Sequence, residues 1–522
     1  MMPSDSEVTL AEDSEHEPHA SPNKEMDVEK DPRNVNEGAN SGRNTDGPIT
    51  VVFEPGDPDD PRNWSLIKKA WIVLLSIFLT LNSTLSSSMP SGSISFISTH
   101  FNVTDENQLV LPISVFLIGY IVGPLFLAPL SEVYGRRILL LGTFFLYILF
   151  TLGTALVNNF PGLLVLRLLA GTAASAPLAI VGAVYADIFE SPVDRGRMMA
   201  IFGTGTTFGP ACSPMISGFL GKVSWRWPFW FSVIFAGATL VPLWFWPETF
   251  APILLARRAA KMRKELNRDD IIAEDDPANI NLKEVFSVTL TRPVTMLFTE
   301  PIVGVVSLYL AYVYGILYLF FQGYPLIFKE VYGMGPGIEG LAYLPIGLGS
   351  VFSSITVILW DGHVRKKEAK EPDFKISSEY HRLTLAAIGG PLMVASLFWL
   401  GWTARKSIHW ISPILAGLPF GMGCTIIFMS LISYLVDAYG IFSASALASG
   451  TWTRSVWGAL LPMAGKPMYH SLGIAWANSL LGFIALGMVA IPFVFAKYGP
   501  SIRAKSPYCQ KIANRDANNR AS

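Results

Sequence analysis

Apolar and polar residues alternate along this chain in long blocks. From Lys68 onward, apolar runs recur at about 20 residues each, the length a helix needs to cross the hydrocarbon core of a bilayer. They fall at 69–90, 108–130, 137–157, 161–186, 198–221 and 228–247, then at 300–328, 338–360, 382–403, 409–435, 443–469 and 473–496. Six runs, a polar stretch and six more predict an all-α membrane protein with twelve transmembrane helices in two six-helix bundles. The expected layout is a tail over 1–60, a bundle over 61–247, a central loop over 248–293, a bundle over 294–497 and a tail over 498–522.

The first fifty residues break the pattern, with twelve acids and four bases among Ser, Asn, Pro and Gly. Such a segment cannot bury enough apolar surface to offset chain entropy, so disorder is expected there. No basic start followed by an apolar stretch is present, so a cleaved signal peptide is not expected. The central loop begins with Ile253 to Leu266, which reads either as an amphipathic helix at the membrane face or as a solvated linker.

Composition sharpens the membrane reading. Charged residues are 15% of the chain, against about 25% in an average soluble protein. Fifty of the 79 charges lie in 1–50, 248–293, 361–382 and 497–522, so the remaining 378 residues hold only 29. Lys+Arg (39) and Asp+Glu (40) nearly cancel, which argues against a nucleic-acid partner. Three cysteines, none close in sequence, exclude a disulfide scaffold and a cysteine zinc module.

Basic residues in short loops set orientation. With the N-terminus inside, inner loops carry Arg136, Arg137, Arg195, Arg197, Arg365, Lys366, Lys367, Lys370, Lys375 and Arg382. Outer loops carry Lys222, Arg226, Lys329, Arg405 and Lys406, so both termini are expected in the cytoplasm. Asn102-Val103-Thr104 then lies outside, as a candidate glycosylation site.

Few residues in this apolar background carry chemistry. Arg167 lies well inside the fourth span, and Arg454 inside the eleventh. A charge at that depth is costly and marks a functional site or a buried partner. Glu132, Gly135, Arg136 and Arg137 form the turn after the second span, where a glycine permits reversal and an acid can pair with arginine. Gly205, Gly209, Pro210 and Pro214 give the fifth span close packing and bends, as a hinge requires. Tyr314, Tyr318 and Gln322 share one face of the seventh span and, with Asn82 and Arg454, are candidate cavity residues. Helix packing is the alternative for each aromatic. The span interiors hold almost no carboxylate. Asp187 and Asp437, at the inner ends of spans four and ten, are the candidate proton carriers, unless Arg167 governs a water relay. The sequence holds no phosphate-binding loop, no zinc-hydrolase helix and no nucleophile elbow. Neither metal nor cofactor is expected.

These residues resemble the major facilitator superfamily. Glu132 to Arg137 is similar to its loop between spans two and three, with Ala128 where a first glycine is usual. Arg167 in Arg-Leu-Leu-Ala-Gly resembles its span-four motif, and Gly205 to Pro210 its antiporter motif. Asp60-Pro61-Arg62-Asn63-Trp64, Pro247 to Pro252, Asp187-Ile188-Phe189, Arg195-Gly196-Arg197, Arg454-Ser455, and Tyr469 to Gly473 leading to Ala475-Trp476-Ala477 resemble the fungal twelve-span drug:proton antiporters. The resemblance implies inverted repeats, a site near the midplane and alternating access. It implies Arg167 in proton coupling, Glu132, Arg136 and Arg137 in switching, and Gly205, Gly209 and Pro210 as hinge. The expected function is proton-driven export of a small organic molecule by a monomer of the plasma membrane, with the vacuolar membrane as alternative. An uptake permease is the first rival, and a membrane sensor that moves no solute the second.

Overall fold

The computed structural model describes residues 49–273, 282–370 and 378–512. Span 1 is Leu66–Ser88, followed by the turn Ser91–Ser93 and the helix Ile94–Phe101. Span 2 is Glu106–Tyr134, span 3 Arg136–Leu156, and span 4 Phe160–Ala174 continued by Ala176–Ile188. Span 5 is Pro192–Leu220 and span 6 Trp227–Leu243. Span 7 is Pro301–Tyr324, running into a wide turn at Pro325–Val331. Span 8 is Pro336–Leu341 with Leu344–Lys370, span 9 Ser378–Thr403, and span 10 Ile411–Leu415 with Gly417–Tyr439. Spans 11 and 12 share the helical stretch Ser443–Lys505 and reverse at Gly473, whose φ of 72° a side chain would disfavour.

Twelve spans therefore form, as the hydropathy blocks predict. Nine helices among the described residues are long and apolar enough to cross a membrane, with Ser443–Lys505 counted once. Trp227–Leu243 is apolar but shorter. Span 5 falls outside those nine, because glycine, serine and threonine replace aliphatics along it. Large side chains such as Phe145, Ile234, Leu359, Leu486 and Phe493 stay exposed, as a lipid-facing surface requires. The face where span 1 begins is called here the tail face, and the opposite one the far face.

Within the first half, span 1 packs on span 5, and span 4 on spans 2 and 3. In the second half, span 8 packs on span 10, and span 9 on spans 10 and 12. The halves meet where span 5 lies along span 8 and span 2 along span 11. Glycine makes the first contact possible: a Cβ on Gly218 would sit 2.3 Å from the Pro336 carbonyl oxygen, and one on Gly340 would sit 2.5 Å from the Met215 backbone. At the second, Ser114 Oγ donates to the Ala459 carbonyl (2.7 Å), and Lys466 Nζ meets Glu106 Oε1 (3.0 Å).

The structure moves two expected boundaries. The tail is shorter than 1–60, because Ile49–Val51 pairs in parallel with Ile271–Ala273. This strand pair and Leu255 and Ala259 of the helix Ala251–Leu266 bury one another, so that helix spends part of its apolar face on protein. Arg258 clasps Asp57, whose carboxyl is held below the usual carboxylate range by the Asp59 backbone N–H and by that guanidinium. A lowered folded value means the clasp contributes in full above the ordinary carboxylate range and is lost as pH falls from there through the lowered value. At the other end, span 12 continues past 497 to Lys505. The expected disorder over 1–48, the acidic run Glu274 to Asp276, Lys375 and the end of the chain lie outside the described residues.

Candidate functional site

Arg167 is 1% exposed. Its Nε donates to the Pro112 carbonyl (2.8 Å), Nη1 to Ser86 (2.8 Å) and Nη2 to Ser87 (2.9 Å), and it lies over the Phe116 ring. The sequence explains why one of those oxygens is available. The carbonyl of Ser86 would pair with the N–H four residues on, but that residue is Pro90, which has none, so its backbone partner is a long contact from the Met89 N–H (3.4 Å). The guanidinium thus satisfies the end of span 1 and ties it to span 2.

Ser87 continues this connection across the halves. Its hydroxyl lies 2.7 Å from that of Tyr318, which in turn accepts from Tyr314 (3.3 Å). Tyr314 and Phe428 flank Arg454, whose guanidinium carbon is 5.7 Å and 5.8 Å from their ring centres. Around them lies a narrow central cleft, lined from spans 1, 4 and 5 on one side and spans 7, 10 and 11 on the other. Thr425 of span 10 reaches Thr207 of span 5 across it (3.4 Å), so the halves are closed at mid-depth.

Two candidate cavity residues lie elsewhere. Asn82 is buried inside the first half, donating to Thr239 of span 6 (2.9 Å) and to the Phe78 carbonyl (2.9 Å). Hydropathy gave its depth, while packing turned it away from the cleft. Gln322 shares the Tyr314 face but sits two turns closer to the far face, where its side chain packs against Gly465 of span 11.

The hinge candidates form a seam between spans 1 and 5. A Cβ on Gly209 would lie 2.1 Å from Thr84 Oγ1, and one on Gly205 would rest on Thr80. Thr84 Oγ1 donates to the Gly205 carbonyl (3.2 Å), and Ser88 Oγ donates to that of Pro210 (3.2 Å). Pro214 lacks the N–H that would otherwise take the Pro210 carbonyl, so serine supplies the donor.

On the tail face, Arg136 Nε meets Asp187 Oδ2 at 3.3 Å, and Arg136 also donates to Ser131. A switch candidate and a proton-carrier candidate thus belong to one cluster. The second half repeats the arrangement: Arg382, at the start of span 9, lies 3.8 Å from Asp437 and 4.0 Å from Asp361. Glu132 makes none of the ion pairs seen among the described residues. The acid that holds this turn is Glu248, which sequence reasoning did not assign. Its carboxylate accepts from the backbone of Arg136 (2.9 Å), Arg137 (3.2 Å), Thr249 (3.1 Å) and Phe250 (3.1 Å). Gly135 makes room, with φ of 93° and the carboxylate 2.4 Å from where a Cβ would be. Arg137 also caps the Trp244 carbonyl (3.0 Å). Asn102 is exposed in a left-handed conformation that ends the helix Ile94–Phe101 on the far face.

Residues 76–462 match the family model described as Major Facilitator Superfamily. The chain is 39% identical over 457 residues to MFS transporter prlG of Fungal sp. (strain NRRL 50135), covering 87% of this chain and 96% of that protein. It is 38% identical over 468 residues to the major facilitator superfamily multidrug transporter mdrA of Aspergillus fumigatus, covering 89% and 76%. It is 37% identical over 478 residues to the efflux pump FUBT of Fusarium oxysporum, covering 90% and 79%. The fold is similar to the proton:xylose symporter XylE at a TM-score of 0.61 and 17% identity, covering 83% of this chain and 96% of that one. With the twelve spans and the cleft between their halves, these matches show that the chain belongs to the major facilitator superfamily.

Proposed function

We propose that this protein exports a small organic molecule by proton antiport, working as a monomer in the plasma membrane with its tail face in the cytoplasm. The observation that carries the reading is the cleft enclosed by two halves whose polar contacts are reversible: hydroxyls on hydroxyls or carbonyls, an exposed ion pair, and glycine against backbone. Such an interface can part on one side while it closes on the other. The names of mdrA and FUBT supply the outward direction. The energy source in this reading is a proton gradient, in keeping with a sequence that holds no phosphate-binding loop. Asp187 with Arg136, and Asp437 with Arg382, are the carboxylates that would take the proton. Protonation weakens each pair and so loosens the tail-face ends of spans 3, 4, 9 and 10. Arg167 acts by holding span 1 in register with Tyr318.

The far-face contact tests this. Cysteines at Glu106 and Lys466, joined by a short bis-maleimide, tether span 2 to span 11. Transport by the tethered protein should fall to background, while the same double variant without reagent keeps most of its rate. Undiminished transport after complete cross-linking would remove far-face opening from the cycle.

A further inference from the structure

The central cleft has an uncompensated positive charge. Its walls include Arg454, Tyr314, Phe428, Thr84, Thr206 and Thr207, and no Asp or Glu is among the residues that line it. Arg454 has two aromatic faces beside it and no hydrogen-bond or ion-pair partner among the described residues. Arg167 offers no anion to balance it, being itself a cation whose donors are taken by carbonyls. Arg454 is half-buried, open to the cleft. A guanidinium at that depth in a membrane without a counter-charge is unfavourable, and a partner that completes it is correspondingly favoured. Its planar fork matches the two oxygens of a carboxylate.

We infer that the cargo bound in this cleft is a small organic anion: an aromatic or conjugated acid whose carboxylate or acidic enolate pairs with Arg454 while its ring lies against Tyr314 and Phe428. On the opposite wall the hydroxyls of Thr84 and Thr206 donate to backbone carbonyls, which leaves their lone pairs to accept from a hydroxyl of the cargo. A cationic amine meets repulsion in the same place. This deepens the exporter reading by naming a cargo class, and rests on it only for the direction of movement. The charge bookkeeping also fits export: an anion leaving and a proton entering both carry positive charge inward, so an inside-negative membrane potential drives the exchange.

Binding to the purified full-length protein in detergent separates this inference from transport. The probes are 1-naphthoate, neutral 1-naphthamide and protonated 1-naphthylmethylamine, which share a ring system and differ in charge. Titration calorimetry should show naphthoate binding at least about tenfold more tightly than the ammonium, as expected for one charge-assisted bidentate contact. Arg454→Gln should erase that preference while still binding the naphthamide, which shows that its cleft is intact. Arg454→Lys should keep part of the preference. Equal or tighter binding of the ammonium, no naphthoate binding at about 1 mM, or an unchanged preference in Arg454→Gln would each overturn the inference. Such a result would leave vesicle transport, and so the exporter reading, untouched. A failure of transport would equally leave the binding preference standing.

Discussion

Replacing Arg167 with alanine should reduce transport by about 100-fold or more, which corresponds to ~2.7 kcal/mol of barrier. The substitution takes the Arg167 donors from the carbonyls of Ser86, Ser87 and Pro112, of which Ser86 keeps a long contact from the Met89 N–H. Each such loss costs about 1–3 kcal/mol, and a cavity is added beside Phe116. Some of that strain is relieved when the end of span 1 shifts, and the shift moves Ser87 away from Tyr318. Arg167→Lys should fall between, because one ammonium cannot reach oxygens on two spans in the same geometry. Rates in proteoliposomes, with thermal melting of the same preparations, separate the two effects. Full transport by the alanine variant would refute the role given to this residue.

Glu248→Ala should be the most destabilising change on the tail face, since each N–H left buried and unpaired costs about 1–3 kcal/mol. Four backbone N–H groups share this one carboxylate, and two of them begin span 3. A negative charge there is favoured by the helix dipole as well. Glu248→Gln keeps the shape but turns an amide donor towards a backbone donor, so it should recover only part of the loss. Gly135→Ala should resemble it, since a side chain is strained at that φ and collides with the same carboxylate. The check is the melting temperature in detergent and the fraction of protein eluting as a single species. A Glu248→Ala protein that melts with the parent would mean that the N–H groups find water instead.

Much of the architecture was legible because membrane insertion depends on local hydropathy. All the described spans fall where apolar runs predict them, even span 5, whose small polar residues lower its hydropathy. Arg167 and Arg454 stood out for the same reason. Depth, however, is not direction. Asn82 lies at cavity depth and faces Thr239, because the rotation of span 1 is set by packing. Partnership is still less visible. Glu248 is 112 residues from Arg136, and nothing local to either marks the other. Arg382 was read only as an inside charge, yet its two acids repeat the Arg136–Asp187 arrangement. The two-fold layout of the chain held the signal that could have found it. Residues 49–60 read as tail because their partner strand lies beyond six spans.

The central claim is outward movement driven by protons, and inside-out membrane vesicles test it most directly. The cargo is a labelled compound to which a strain lacking this protein is hypersensitive. With the vesicle interior made acidic, the protein should accumulate that compound against its gradient, and a protonophore should abolish the accumulation. No proton-dependent accumulation there, together with uptake into right-side-out vesicles, would contradict the account and make the protein an importer.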